Sequence, residues 1–223
     1  MTSLLRLLQL CSQALPVGAY AYSSGTEAAV TRGWINDETS ARDWIEGVFK
    51  DGYAQLDLPA LLLADGLLAS GDTEGLLQLS DYLAASRETR ELLLEDVEMG
   101  RALQRLMGSL EIPVPEMSSP SFAIGFAAAG RHFDIELAEL AHGFCFSWLE
   151  NQVGVVTKTV PLGQTAAQQI LGELILQVPE AVHEAEAIAR AEARRPWQFG
   201  VSLPSLALLS CHHETEEARL YRS

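Results

Sequence analysis

Few side chains in this chain have the types and spacing that chemistry requires. Cys211, His212 and His213 stand side by side and offer a thiol and two imidazoles, donors suited to nickel or zinc. Adjacent residues leave a helix about 100° apart, however, and no two of the five histidines are spaced three or four apart. A tight metal site within one chain is not expected, and metal carriage by this triplet stands as an alternative function. His142 is expected as a packed, hydrogen-bonded histidine beside an apolar stripe. The carboxylate pairs Glu95/Glu98 and Glu214/Glu217 would suit a small α-helical hydrolase if two pairs faced one cleft. In a chain with 30 acidic residues, such pairs more often form a solvated helix face. Neither a catalytic residue nor a cofactor is expected.

The stretch ALPVGAYAYSSGTE, residues 14–27, sets two tyrosines and two serines between Gly18 and Gly25. A phosphate-binding loop needs a lysine and a hydroxyl after its last glycine, whereas here Thr26 and Glu27 follow, and a carboxylate repels phosphate. The nucleophile-elbow pattern is absent too. The stretch reads as a turn between helices, with Tyr20 and Tyr22 packed by their rings. In SRETREL, residues 86–92, Ser86 is placed to cap a helix and Arg87 to pair with Glu91 on its surface. PLGQTAAQQI, residues 161–170, opens another helix with Gln164 and Gln168 on one face, where amides can cap or meet another chain.

The elements that would hold these groups are helical. A stripe of Leu137, Leu140, Ala141, Phe144, Cys145, Trp148 and Leu149 predicts a long buried helix, N-capped by Asp134 and running through Val156. Ala41, Trp44, Ile45, Val48 and Phe49 mark a second helix, and Leu92, Met99, Leu103 and Leu106 a third. In PEAVHEAEAIARAEARRP, Pro179 and early acids precede late arginines, an order that complements the helix dipole. Joints are expected at 15–24, 71–72, 108–121 and 194–205. The fold class is all-α, a single-domain bundle over 1–223 of roughly eight to eleven helices.

Composition narrows the partners. A formal charge of -15 disfavours nucleic acid and anionic membranes. The run Leu56–Leu68 is broken by Asp57, Pro59, Asp65 and Gly66, so no membrane span is expected. Three scattered cysteines with no paired spacing fit a reducing, cytoplasmic compartment. Only Lys50 and Lys158 are lysines among fifteen basic residues, which makes Lys158, next to VPLGQT, conspicuous.

Four segments occur in order: residues 12–27, SRETRE at 86–91, VPLGQT at 160–165 and HETEEARLYRS at 213–223. Together they resemble the urease accessory protein F (UreF) family from end to end. That resemblance implies an all-α homodimer that binds UreD (also called UreH) and then recruits the GTPase UreG to deliver nickel to apo-urease. Modulation of the UreG GTPase is compatible with such a scaffold. The resemblance marks the loop holding Tyr22 and Glu27 as a recognition element and Lys158 as facing UreG. Arg219, Leu220, Tyr221, Arg222 and Ser223 become a segment that orders on meeting UreD, and Gln164 completes the partner-binding set. Residues 206–223 are accordingly expected as a tail, its last residues poorly ordered without a partner, because Glu214, Glu216 and Glu217 give it no apolar face before Leu220.

Overall fold

The computed structural model describes residues 2–223. Eleven α-helices follow one another: α1 (Thr2–Leu10), α2 (Thr26–Thr31), α3 (Glu38–Val48), α4 (Ala54–Ser70), α5 (Thr73–Ser86), α6 (Arg90–Ser109), α7 (Phe122–His132), α8 (Leu137–Thr159), α9 (Gln164–Ile175), α10 (Val178–Ala191) and α11 (Pro204–His213). No strand occurs among the described residues.

The centre is α4. From Ala54 to Ala64 every residue but Gln55 is buried, as expected of a helix apolar on all sides. It packs against α5, α7, α8 and α10, so the rest of the bundle is laid around it. A single π-helical turn, Phe49–Tyr53, joins it to α3 and widens the backbone just ahead of Pro59. The same turn delivers Phe49 and Tyr53 to an aromatic stack, with the Tyr53 ring 5.0 Å from both Phe144 and Trp148 of α8.

Most ends follow the local chemistry of the sequence. Asp37 accepts from Ser40 N at 2.8 Å while Ser40 Oγ accepts from Asp37 N at 3.1 Å, a capping box for α3. The Ser40 hydroxyl also donates to Asp37 Oδ1 at 2.6 Å, and this bond, with the one from Ser40 N, holds the Asp37 carboxyl below its usual range. Gly71 ends α4 at φ 70°, and α10 carries Glu180 in its first turn and Arg190 in its last.

Two expected caps are corrected. Asp134 does not start α8; it sits at φ 51° just beyond α7, its N–H bonded to Arg131 O at 3.2 Å while Ile135 N reaches Gly130 O at 3.0 Å. That pair of bonds closes the preceding helix, and aspartate is one of the few residues that tolerate this backbone. A stop signal lies where the sequence suggests a start, and α8 begins after Glu136. Ser86 belongs to the end of α5, donating to Tyr82 O at 2.8 Å, and Thr89 caps α6 by accepting from Leu92 N at 3.2 Å.

Helix α6 meets the segment before α7 without a side chain between them. A Cβ on Gly100 would overlap the carbonyl of Pro120, which is backbone and cannot rotate away. Gly100→Ala should therefore cost about 1–3 kcal/mol or more, although alanine is the better helix former. A urea melt in which this variant matches or exceeds the parent would contradict that contact.

Candidate functional site

The loop between α1 and α2 is built around two consecutive left-handed residues, Ser24 at φ 50° and Gly25 at φ 80°. A side chain at residue 25 would also meet Leu206, 2.6 Å from the Cβ position. The turn presents Ser23, Ser24 and Glu27 to one side. Thr26 N bonds Ser23 O at 3.1 Å and Glu27 N bonds Ser23 Oγ at 3.2 Å, so the first amides of α2 are already occupied.

What these residues face is the C-terminal segment. Glu27 accepts from Leu220 N at 2.8 Å, from Tyr221 N at 2.9 Å, and lies 3.0 Å from His213 Nε2. The other ring nitrogen of His213 is 2.8 Å from Glu91, whose second oxygen takes Arg219 Nη1 at 2.6 Å. His213 is fully buried, with a carboxylate at each ring nitrogen. Side chains from α2, α6 and α11 thus meet out of water, each with a hydrogen-bond partner.

A second cluster adjoins the first. Glu95 accepts from Ser24 Oγ and from Ser223 Oγ, each at 2.6 Å, while the backbone oxygen of Ser223 is held by Ser23 N at 3.2 Å and by the Ser23 hydroxyl. Burial raises the Glu95 carboxyl above its usual range, against the lowering effect of the two serines. Behind the loop, Gln152 of α8 donates to Ser24 Oγ at 3.3 Å and accepts from Thr26 Oγ1 at 2.7 Å, which itself accepts from Trp44 Nε1 at 3.0 Å. Nearby, Arg87 does not pair with Glu91 as expected. It reaches Asp57 at 2.5 and 3.1 Å and Asp96 at 2.9 Å, bridging α4 and α6 in the interior.

The sequence-predicted site residues therefore separate into two groups. Tyr22, Glu27, Tyr221 and Ser223 are buried, and Arg219 is tied to Glu91. Lys158, Gln164, Leu220 and Arg222 are exposed, Leu220 by 75%. Lys158 Nζ stands 5.9 Å above the Tyr221 ring, so the end of α8 meets the C-terminal segment. Gln164 opens α9 and makes none of these contacts. Residues 206–213 belong to α11 rather than to a tail, and residues 219–223 are packed where the sequence suggests an unordered end. The reason is that polar groups hold them: acceptors from Ala21, Glu27, Glu91 and Glu95 stand in for the missing apolar face. Tyr20 is exposed rather than packed, as is His142, whose Nδ1 lies 2.5 Å from Ala138 O.

The Cys211–His213 triplet does not converge. Cys211 and His212 are exposed while both nitrogens of His213 are engaged by carboxylates. Among the described residues, no group of three or more His, Cys, Asp and Glu side chains is arranged to hold a metal ion. The acid pairs do not share a cleft either: Glu98 pairs with Arg101 and Glu214 with Arg90, both at the surface. No helix among the described residues is long and apolar enough to cross a membrane. Cys11 and Cys145 are buried, and burial, aided by Glu150, pushes the Cys11 thiol up to about 12.

Sequence reasoning missed Glu91, Glu95 and Ser23 as members of this network and weighed His213 only as a metal donor. One signal was available: Glu27 is the first acidic residue of a strongly acidic chain, standing in a run of small and apolar residues. A carboxylate kept in such surroundings usually has a partner.

These features define an all-helical protein in which the loop before α2, the start of α6 and the end of α8, far apart in sequence, meet a docked C-terminal strap. The UreF family model matches residues 35–175. The urease accessory protein UreF of Marinomonas sp. (strain MWYL1) is 44% identical over 222 residues, covering 99% of this chain and 94% of the relative. Those of Teredinibacter turnerae (44%, covering 99% and 98%) and Chromohalobacter salexigens (42%, covering 97% and 93%) are similar over nearly the same span. The chain belongs to the UreF family of urease accessory proteins. The likeness of the relatives extends over the loop and the strap, which lie outside the segment that the family model matches.

Proposed function

We propose that the chain is a non-catalytic scaffold for urease maturation, working in the cytoplasm as a homodimer. In this reading it binds UreD through the C-terminal strap, recruits the GTPase UreG through the side of Lys158 and Gln164, and so brings nickel delivery to apo-urease. Whether UreG is activated or restrained in that complex is part of the same reading and follows from how it is held. The observation that carries the proposal is the division within the strap. Tyr221 and Ser223 are locked inward, whereas Leu220 and Arg222 stand on the surface, an apolar and a guanidinium group of the kind that protein interfaces use.

Deleting residues 219–223 would be a poor test, because it strips partners from Glu27, Glu91 and Glu95. Substituting the outward side chains is cleaner. Leu220→Ala with Arg222→Ala should change stability by no more than about 0.5 kcal/mol yet abolish capture of UreD in a pull-down. Lys158→Ala should lose about 0.3–1 kcal/mol through the helix end and the Tyr221 ring, retain UreD and fail to bring down UreG. Normal UreD capture by the first variant would move that interface elsewhere, and normal UreG recruitment by the second would leave Lys158 a structural role only.

A further inference from the structure

A cavity of about 170 Å³ lies between the end of α1, α4, α6, α8 and the segment that leads into α11. It is larger than an engineered apolar cavity of about 150 Å³ that accepts benzene. Leu56, Leu92, Phe122, Phe144 and Trp148 give it apolar walls. Two of its lining residues, Tyr20 and Val201, are 63% and 56% exposed, so it opens to solvent on their side. Five carboxylates also line it, Asp57, Glu88, Glu95, Asp96 and Glu150, against the single guanidinium of Arg87.

These charges are not equivalent. Asp57 and Asp96 are spent on Arg87, Glu88 accepts from Leu203 N at 3.1 Å, and Glu95 accepts from Ser24 and Ser223. Glu150 makes no ion pair among the described residues, and partial burial raises its carboxyl. The cavity asks for two things at once: an apolar group for the walls and a cation beside Glu150. A free anion fails on charge, and a hydrocarbon leaves Glu150 without a counterion. A peptide with an aromatic ring and a flanking arginine or lysine supplies both.

We infer that this cavity receives an aromatic side chain from a basic segment of a partner protein. It is a docking surface separate from the outward side chains of the strap. The test is an NMR titration of the whole protein with acetyl-Arg-Phe-Arg-amide, followed at the Trp148 indole N–H. A saturable shift is expected, weaker by about tenfold for acetyl-Glu-Phe-Glu-amide and for the Glu150→Lys variant with the basic peptide. Leu92→Trp, which fills the cavity, should abolish the shift. Glu150 is at the rim, so its variant keeps the test open if the Leu92 variant does not fold. Failure of the basic peptide to saturate, equal binding of both peptides, or undiminished binding by Glu150→Lys or a folded Leu92→Trp would overturn the proposal. So would benzyl alcohol binding as tightly as the peptide, which would make this a small-molecule cavity. A Trp148 shift that follows protein dilution without peptide would assign the surface to a second copy of the chain and overturn it equally.

Discussion

Glu27→Ala should remove about 3–5 kcal/mol of stability and release residues 219–223, although only one side chain on a six-residue helix is changed. The carboxylate holds two backbone amides of the strap and one nitrogen of a fully buried histidine. Truncation leaves His213 with one carboxylate neighbour instead of two and strands Tyr221 N away from water. Removing one member of a buried, mutually hydrogen-bonded polar set costs more than the set contributes, because the survivors keep their desolvation penalty. Urea unfolding monitored by circular dichroism measures the loss, and hydrogen exchange at Leu220 and Tyr221 measures the release. Glu214→Ala is the control: its ion pair with Arg90 lies at the surface, and its loss should stay within about 0.5 kcal/mol. A Glu27 variant that loses less than about 1 kcal/mol would show that the network carries little of the fold.

Arg87→Ala should have an effect of the same size, about 3–5 kcal/mol at neutral pH, with a pH dependence that identifies its cause. Burial raises the Asp57 carboxyl above the usual range even with Arg87 beside it. The two aspartates in turn raise the Arg87 guanidinium despite the opposing effect of burial. A carboxyl that is higher in the folded than in the unfolded chain makes the folded state the better proton binder, so stability falls as pH rises between the two values. Without the guanidinium, Asp57 moves higher still. The deficit of the variant should therefore shrink as pH is lowered into the carboxylate range and grow toward neutrality. Parallel melts across that range decide the matter: a deficit independent of pH would assign the loss to packing of the Arg87 stem instead.

The helices were legible because each carries its own signal. The stripe from Leu137 to Val156 became α8, the segment after Pro179 became most of α10, and the four expected joints lie outside the α-helices except at their margins, the first of them holding a short 3-10 turn at Ala19–Ala21. Boundaries set by distant contacts or by backbone geometry were not legible, as at Asp134, where a side chain suited to capping serves to end a helix. The network was harder for the same reason. Glu27 and His213 are 186 positions apart, and nothing local to either residue announces the other. Arg87 shows how the error arises: Glu91, four positions on, is the partner that helix spacing offers, yet the fold brings Asp57 from α4 and turns Glu91 toward α11. The four signature segments were visible as a set, but that three of them, the loop, the SRETRE segment and the C-terminal strap, share a place in the folded chain is something sequence order alone does not express.

The scarcity of lysine, with Lys158 above the Tyr221 ring, makes the chain its own reporter. An amine-directed fluorophore has only two side chains to attack, both exposed; the surface pair with Glu46 at 2.8 Å raises the Lys50 ammonium and disfavours attack there, while Lys158 stands beside the strap. A dye attached at Lys158 would sit against the phenol when the strap is seated and lose that quencher when it lifts. Emission would then follow, in real time and without an engineered cysteine, each departure of the C-terminal segment from the body of the protein.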